Sequence, residues 1–197
     1  MVRGRPRQFE VDEVLQSALN VFWAKGYEGT TMADLTETTG LKPGSIYAAF
    51  GSKAGLFKQV VDRYVATVFS YGPNGLEADS VREVIRRWLA GAAESTTGEA
   101  TPAGCLLVQG ALATGDESRE IAEDLCARRK AAQVMLAERL AAAQASGELP
   151  ADVDARGAAR YVVALAEGIA VEARSGADRE TLLGLVDLAM RRLPWEA

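Results

Sequence analysis

The stretch LKPGSIYAAFGSKAGLF, residues 41–57, decides the fold of this chain of 197 residues. Pro43 stands where a first-turn proline is tolerated, and Gly51 ends the short helix that follows. Ser52 is placed to cap a fourth, longer helix. A helix as short as the one between Pro43 and Gly51 is marginal on its own in water, so neighbouring helices must hold it in place.

Two helical segments precede this short helix in the sequence. The first begins with acidic residues, carries one apolar stripe and ends at Gly26. The second is short, with Thr31 as its N-cap and Gly40 at its end. The fourth helix runs to a break at GPNG, residues 72–75. Two short helices joined by a turn with glycine, behind a longer amphipathic helix, are typical of a helix-turn-helix.

A short helix supported on one face can place its first turn in the major groove of double-stranded DNA. Tyr47 offers a phenol to a phosphate or a base edge, and Lys53 is placed to contact a phosphate. Close approach of the backbone is favoured by the small residues Gly44, Ser45, Ala48 and Ala49. The alternative is an ordinary turn at Pro43, with Tyr47 in the core and Lys53 at a solvated helix end.

The overall composition argues against several other classes of protein. The chain has no histidine, which removes the commonest catalytic base and metal ligand. Its two cysteines lack the spacing of a zinc site or a disulfide framework. No apolar run approaches the length of a membrane span, and the N-terminus lacks the pattern of a signal peptide. We therefore predict a cytoplasmic protein that is not an enzyme, contacts no membrane, and needs no metal or cofactor.

The net charge is −5, but the acidic excess lies after residue 64. The first nine residues contain arginine and no acid, so a local basic footprint is possible at this end of the chain. The stretch RGRPR, residues 3–7, resembles the core of an AT-hook. Arg3 and Arg5 are therefore candidates for contact with a narrow minor groove. A basic tail with only non-specific attraction to DNA is the alternative interpretation.

The run AKGYEGTTMADLTETTGLKPGSIYAAFGSKAGLF, residues 24–57, resembles the DNA-binding region of the TetR family of transcriptional regulators. The resemblance covers roughly residues 9–60, and it rests on Gly26, Tyr27, Thr30, Thr31, Gly40, Tyr47, Phe50, Ser52, Lys53, Leu56 and Phe57. By position it implies DNA contacts from Thr31, Pro43, Gly44, Ser45, Tyr47 and Lys53, with Lys42 close by. Ala48 and Ala49 depart from the family, whose members often carry larger side chains there. Fewer direct base contacts and more recognition of DNA shape follow from that departure.

The fold class predicted for the whole chain is all-α. Residues 1–51 are expected to form an N-terminal arm and a three-helix DNA-binding domain, and residues 52–71 a connecting helix. A ligand-binding and dimerisation domain is expected over residues 72–197. Its helices are predicted at residues 77–95, 103–114, 117–145, 153–174 and 178–193.

The helix at residues 153–174 is apolar on nearly every face, so something beyond its own domain must cover one side. A second copy of the chain is the simplest candidate. The family resemblance implies that this helix and the last one form a four-helix bundle across a two-fold axis. The residues predicted at this homodimer interface are Tyr161, Leu165, Ile169, Leu182, Leu185, Val186 and Ala189.

Cys105, Trp88 and Glu167 are the candidate ligand or sensor residues. A Gly-Cys pair at this point looks like a branch of the family in which some members sense electrophiles or oxidants. Cys105 is expected in the first turn of a helix, where the dipole favours thiolate, although packing as a small hydrophobe is the alternative. Glu167 could instead pair with Arg160 or Arg174 of a partner, and Cys126 is expected on a solvated face.

These observations predict a homodimeric, ligand-responsive regulator that binds a palindromic operator in double-stranded DNA. We expect it to be a repressor released when a small-molecule effector of unknown identity, or modification of a thiol, acts on the C-terminal domain. One alternative is a transcriptional activator of the same fold. The other is a helical small-molecule-binding protein that does not bind DNA.

Overall fold

The computed structural model describes residues 8–98, 101–112 and 118–193, and over these residues the chain forms ten helices and no strand. The predicted all-α class is confirmed. None of the described helices is both long enough and apolar enough to cross a membrane. The helices in chain order are α1 (Gln8–Gly29), α2 (Met32–Thr39), α3 (Pro43–Phe50), α4 (Lys53–Thr67), α5 (Tyr71–Gly75), α6 (Val81–Thr96), α7 (Leu106–Leu112), α8 (Arg119–Ala145), α9 (Ala155–Arg174) and α10 (Arg179–Arg192).

The ends of the first four helices follow the local signals of the sequence. Gly26 has a φ of 73°, which interrupts regular helix at the predicted end of α1. Pro43 is the first residue of α3, and Gly51 ends that helix with a φ of 77°. The hydroxyl of Ser52 accepts a hydrogen bond from the backbone N–H of Gly55, as expected of an N-cap.

Residues 72–75 were predicted to be a simple break after the fourth helix, and the structure of this segment differs. Helix α4 does end before it, at Thr67, but the segment itself belongs to the short helix α5. Pro73 fits there because a proline in the first turn of a helix gives up no hydrogen bond. Gly72 and Gly75 are buried, which brings α5 close to Trp88 on α6.

Three of the later helices begin just after a capping side chain. Each of these capping residues lies within the helix predicted from the sequence. The hydroxyl of Ser80 accepts a hydrogen bond from the N–H of Glu83, so α6 begins at Val81 rather than at residue 77. The carboxylates of Asp154 and Asp178 cap α9 and α10 in the same way. The other predicted boundaries lie within three residues of the observed ones wherever the structure describes them.

Two clusters of buried side chains hold the helices together. One joins α6, α8, α9 and α10 around Trp88, Leu136 and Val162. The other joins α1–α4 around Phe22 and Tyr64, and it also includes residues 105–108 at the start of α7. Packing thus crosses the proposed domain boundary. The division at residues 51 and 72 stays a prediction.

Candidate functional site

Helix α3 is held by one face and presents the other to solvent. Ile46 and Phe50, one turn apart, are buried in the N-terminal cluster. Tyr47 between them is 48% exposed, so the alternative that Tyr47 belongs to the core is wrong. The remaining residues expected to contact DNA from this helix and its N-cap are also exposed, namely Lys42, Pro43, Gly44 and Ser45. The short helix therefore offers a continuous surface to a partner.

Helix α2 is fixed at its N-terminus by reciprocal hydrogen bonds. The backbone N–H of Thr31 donates to the Asp34 carboxylate over 2.8 Å, and the N–H of Asp34 donates to the Thr31 hydroxyl over 3.1 Å. Lys25 Nζ lies 2.6 Å from the same carboxylate. The Lys25 hydrogen bond, followed by those from Thr31, holds the pKa of Asp34 well below its usual range. Thr31 is exposed, and its backbone and hydroxyl are held in place by the Asp34 carboxylate and N–H.

Lys53 is the first residue of α4 and follows the end of α3 closely. Its Nζ lies 4.4 Å from the centroid of the Tyr27 ring, which restrains the ammonium through a cation–π contact. Partial burial lowers the pKa of Lys53, and the carboxylates of Glu28 and Asp34 act in the opposite direction. The ammonium is thus held over Tyr27, close to the carboxylates of Glu28 and Asp34. The other predicted basic contacts, Arg3 and Arg5, lie outside the described residues.

The three residues predicted to bind a ligand or act as sensors, Cys105, Trp88 and Glu167, line one cavity between α6, α7, α8 and α9. Tyr71 and Arg129 also line it. The cavity has a volume of about 30 Å³, enough for a water molecule or two. Pockets for drug-sized ligands are roughly 300–1,000 Å³. A molecule of several heavy atoms could therefore enter only if the surrounding helices move apart.

Cys105 is buried immediately before α7. Burial raises the pKa of its thiol, against the opposite influence of hydrogen bonds from Tyr64 and from the N–H groups of Val108 and Leu107. The N–H groups at the helix N-terminus do lower the pKa of the thiol, as expected. Desolvation outweighs them, because it penalises the thiolate more strongly. The second thiol, Cys126, is exposed on α8 as predicted.

Glu167 has an ion-pair partner within its own chain. Its Oε1 lies 2.9 Å from Nε of Arg129 on the neighbouring helix α8. Within the described part of the chain the N–H at that Nε has no aligned acceptor, so the contact is an ion pair without a well-formed hydrogen bond. Arg174 instead donates to the backbone carbonyl of Ala24 on α1. Within a single chain the facing helix α8 thus supplies a cation for Glu167, and a further pairing with an arginine of a partner stays a prediction.

The segment between α6 and α7 connects this cavity to the DNA-binding helices. The Trp23 indole N–H on α1 donates to the Gly104 carbonyl over 2.9 Å, and the Tyr64 hydroxyl on α4 donates to Cys105 Sγ over 3.3 Å. The rings of Trp23 and Tyr64 meet edge to face, with centroids 5.0 Å apart. A shift of residues 104–105 would thus be felt by α1 and α4 together.

The sequence matches two family models that cover most of its length. Residues 14–60 match the model for bacterial regulatory proteins of the tetR family, and residues 78–184 match the tetracyclin repressor-like C-terminal domain. The chain belongs to the TetR family.

Relatives and solved structures agree with this membership over nearly the whole chain. The HTH-type transcriptional repressor ComR of Escherichia coli K12 is 34% identical over 98% of this chain and 92% of its own length. A cysteine mutant of the TetR-family regulator CifR, solved with 26-base-pair double-strand operator DNA, is 38% identical with a TM-score of 0.91, covering 97% of this chain and 100% of that one. A TetR regulator from Rhodococcus sp. RHA1 is 39% identical with a TM-score of 0.64, covering 93% and 98%.

An apolar groove lies between α9 and α10 in the C-terminal domain of this TetR-family chain. It has a volume of about 440 Å³. The predicted interface residues that line it are Tyr161, Leu165, Ile169, Leu185 and Ala189. Tyr161 and Leu185 are 46% and 42% exposed, and Leu188, which the sequence interpretation missed, is 48% exposed. Three of the four large apolar side chains that α9 and α10 expose line this groove, namely Tyr161, Leu185 and Leu188.

Two of the predicted interface residues need correction. Leu182 and Val186 are 0% and 2% exposed in a single chain and, unlike Ile169, which is also buried, do not line the groove, so neither can reach a partner. They lie one turn apart on the face of α10 that packs into the main cluster with α6. Both faces of α10 carry apolar residues, and the sequence alone did not show which face meets the chain's own core.

Several site residues found in the structure carried no functional signal in the sequence. Tyr64 belonged only to an apolar stripe, Trp23 carried no signal beyond being apolar, and Tyr71 stood beside a helix break. Arg129 lies in a basic run close to Cys126, for which a solvated helix face was expected. Their roles depend on which helices meet, and no spacing along the chain reports that.

Proposed function

We propose that this TetR-family protein is a homodimeric repressor that binds a palindromic operator in the cytoplasm and leaves it when an effector occupies the C-terminal cavity. The supporting comparisons are the relatives named as repressors and the CifR structure with operator DNA. The observation that carries the proposal is the geometry of α3. One face is fixed in the core through Ile46 and Phe50, and the opposite face is exposed.

The proposed DNA contacts fall into two groups. Thr31, Tyr47 and Lys53 are assigned to the sugar-phosphate backbone, where contacts fix the register. Gly44 and Ser45, in the first turn of α3, are assigned to the floor of the major groove. Lys42, Pro43, Arg3 and Arg5 complete the proposed set. Two such units on a two-fold axis would match half-sites separated by roughly 34 Å, or one turn of DNA.

Effector control follows from the size of the cavity and from its contacts. Because the cavity holds only about 30 Å³, a bound effector must displace the helices or the loop around it. Displacing residues 104–105 would move Trp23 and Tyr64, and with them the separation of the two DNA-binding units. An effector releases the operator only to the extent that it binds the displaced form more tightly than the operator-binding form. Each ligand should therefore lower the protein's affinity for the other by the same factor.

The test of the proposed function is selection of bound fragments from a pool of random DNA duplexes by the full chain. A palindromic consensus is the expected result. Failure to enrich any sequence would favour the alternative, a helical small-molecule-binding protein without DNA binding. An activator of the same fold would also enrich a palindrome, and transcription from a promoter carrying the site, with and without the protein, separates it from a repressor.

Lys53→Ala is expected to weaken operator binding and to reduce its dependence on salt. The slope of log affinity against log salt concentration should fall by about one unit for each half-site, because one fewer counterion is released there. Lys58→Ala, which removes an exposed lysine one turn further along α4, is the matched control. A slope that does not change in Lys53→Ala would place the ammonium away from the phosphates.

Modification of Cys105 is expected to release the operator, since an added group cannot fit a cavity of about 30 Å³. Operator affinity is measured for wild type, Cys105→Ser and Cys126→Ser before and after treatment with N-ethylmaleimide. Wild type and Cys126→Ser should lose affinity at least about fivefold, at the lower end of allosteric coupling, while Cys105→Ser keeps it. Because burial raises the pKa of Cys105, exposed Cys126 should react first. Equal loss in Cys105→Ser would leave Cys105 as a packing residue.

A further inference from the structure

The exposed face of α3 has a centre that is nearly without side chains. Ala48 lies two residues from both Ile46 and Phe50, so it projects about 200° around the helix axis from each of those buried anchors. Gly44 precedes Ala48 by one turn on the same line. Ser45 and Tyr47 flank this line on either side. The part of α3 directed straight away from the core therefore consists of one glycine and one methyl group.

Gly44 is not required by the fold of the chain. A Cβ added there would meet no atom within 4 Å, and Gly44 is not among the glycines with positive φ. Alanine in this first turn would also restrict the unfolded chain more than glycine does, so stability does not favour the glycine. Since the chain itself supplies no reason for this glycine, its advantage lies at the surface that α3 presents to DNA.

The same face lacks the side chains that form paired hydrogen bonds with bases. Such bonds come from arginine, lysine, asparagine or glutamine, and none of these occurs in α3, whose sequence is PGSIYAAF. The group that a methyl can recognise in the major groove is the 5-methyl of thymine. The DNA interface itself is supported by membership of the family and by the exposed position of Tyr47.

We infer that the Ala48 methyl packs against the 5-methyl group of a thymine in each operator half-site, and that Gly44 provides the clearance for this contact. The inference rests on the proposed function, because it assumes that α3 enters the major groove. It makes Ala48 a specificity-determining residue. The neighbouring Ala49, about 100° further around the helix, does not share this role.

The experiment is a cycle of paired substitutions on the protein and on the DNA. Each thymine of the half-site obtained by selection is replaced singly by deoxyuridine, which removes only the 5-methyl group. Operator affinity of the full-length protein is measured by fluorescence anisotropy. For wild type we expect one thymine at which uracil raises Kd about 4-fold per half-site, or about 15-fold when both half-sites are changed, as expected for one buried methyl group each.

The readout is the ratio of Kd for the uracil operator to Kd for the thymine operator within each variant. This ratio cancels any cost that a glycine imposes on the helix. In Ala48→Gly the ratio should fall to about 1, since the methyl partner is gone. Ala49→Gly carries the same cost to the helix and should keep the wild-type ratio. The inference is overturned if the Ala48→Gly ratio equals that of wild type, or if no thymine responds to uracil.

Gly44→Ala tests the clearance independently. The added methyl has open space in the chain and favours the helix, so the melting temperature should stay constant or rise. Operator binding should weaken at least about fivefold, as for a methyl forced into a packed contact. Unchanged binding would overturn the role given to Gly44. If selection enriches no sequence at all, the proposed function fails as well, whereas a palindrome that is insensitive to uracil removes only this inference.

Discussion

Leu188→Asp is expected to convert the protein from a dimer into monomers and to weaken operator binding at least about 100-fold. Leu188 is 48% exposed in the groove between α9 and α10, where burial of apolar area against a second copy is the expected source of dimer stability. A carboxylate there would have to be desolvated, twice, because a two-fold interface repeats each contact, and an ion pair with Arg192, which also lines the groove, would not replace the lost apolar burial. Loss of the second DNA-binding unit then removes the avidity of the pair, which is commonly worth 100-fold or more.

The measurement is molar mass in solution by light scattering, followed by operator affinity. Val134→Asp is the matched control, because Val134 is also 48% exposed but lies on α8, away from this groove. It should leave both the dimer and the affinity unchanged. A charge at Leu165 would test the interface less cleanly, because Leu165 packs partly against the core of its own chain and its substitution could also lower stability. A Leu188→Asp protein that remains dimeric would move the interface elsewhere.

The helix-turn-helix could be predicted in detail because its signals are local. The Thr31–Asp34 capping box, the proline at the start of α3 and the Ser52 cap each act over three or four residues, and the structure shows all of them. The resemblance to the family, which runs without a gap over residues 24–57, predicted the order of these helices along the chain. The exposed face of α3 followed from the same information, since Ile46 and Phe50 are one turn apart and both apolar.

The C-terminal domain was less predictable because its site is formed by contacts between distant helices. Glu167 pairs with Arg129 only because α8 and α9 lie side by side, and no residue spacing indicates which cation would face it. The choice between the two apolar faces of α10 likewise depended on the packing of α6. The helix N-terminus alone would lower the pKa of Cys105, but burial raises it, and the extent of burial depends on which helices pack around the thiol.

Tyr47→Ala is expected to weaken operator binding about 100-fold while leaving the fold intact. The side chain is 48% exposed on the flank of α3, so its removal creates no cavity in the core. A phenol that donates a hydrogen bond to a charged phosphate contributes roughly tenfold in affinity, and the dimer makes this contact twice. Operator affinity is measured together with the thermal melting temperature, which should not change by more than about 2 °C, as is usual for exposed positions.

Tyr47→Phe separates the two ways in which this side chain can act. If the hydroxyl donates to a phosphate, Tyr47→Phe should lose most of the affinity that Tyr47→Ala loses. If the ring instead packs against sugar or base, Tyr47→Phe should bind as wild type does. Ala49→Ser, which adds a small polar group to the same helix, controls for general disturbance of α3. A large fall in melting temperature for Tyr47→Ala would contradict the exposed position of the ring and with it the assignment of Tyr47 to the DNA interface.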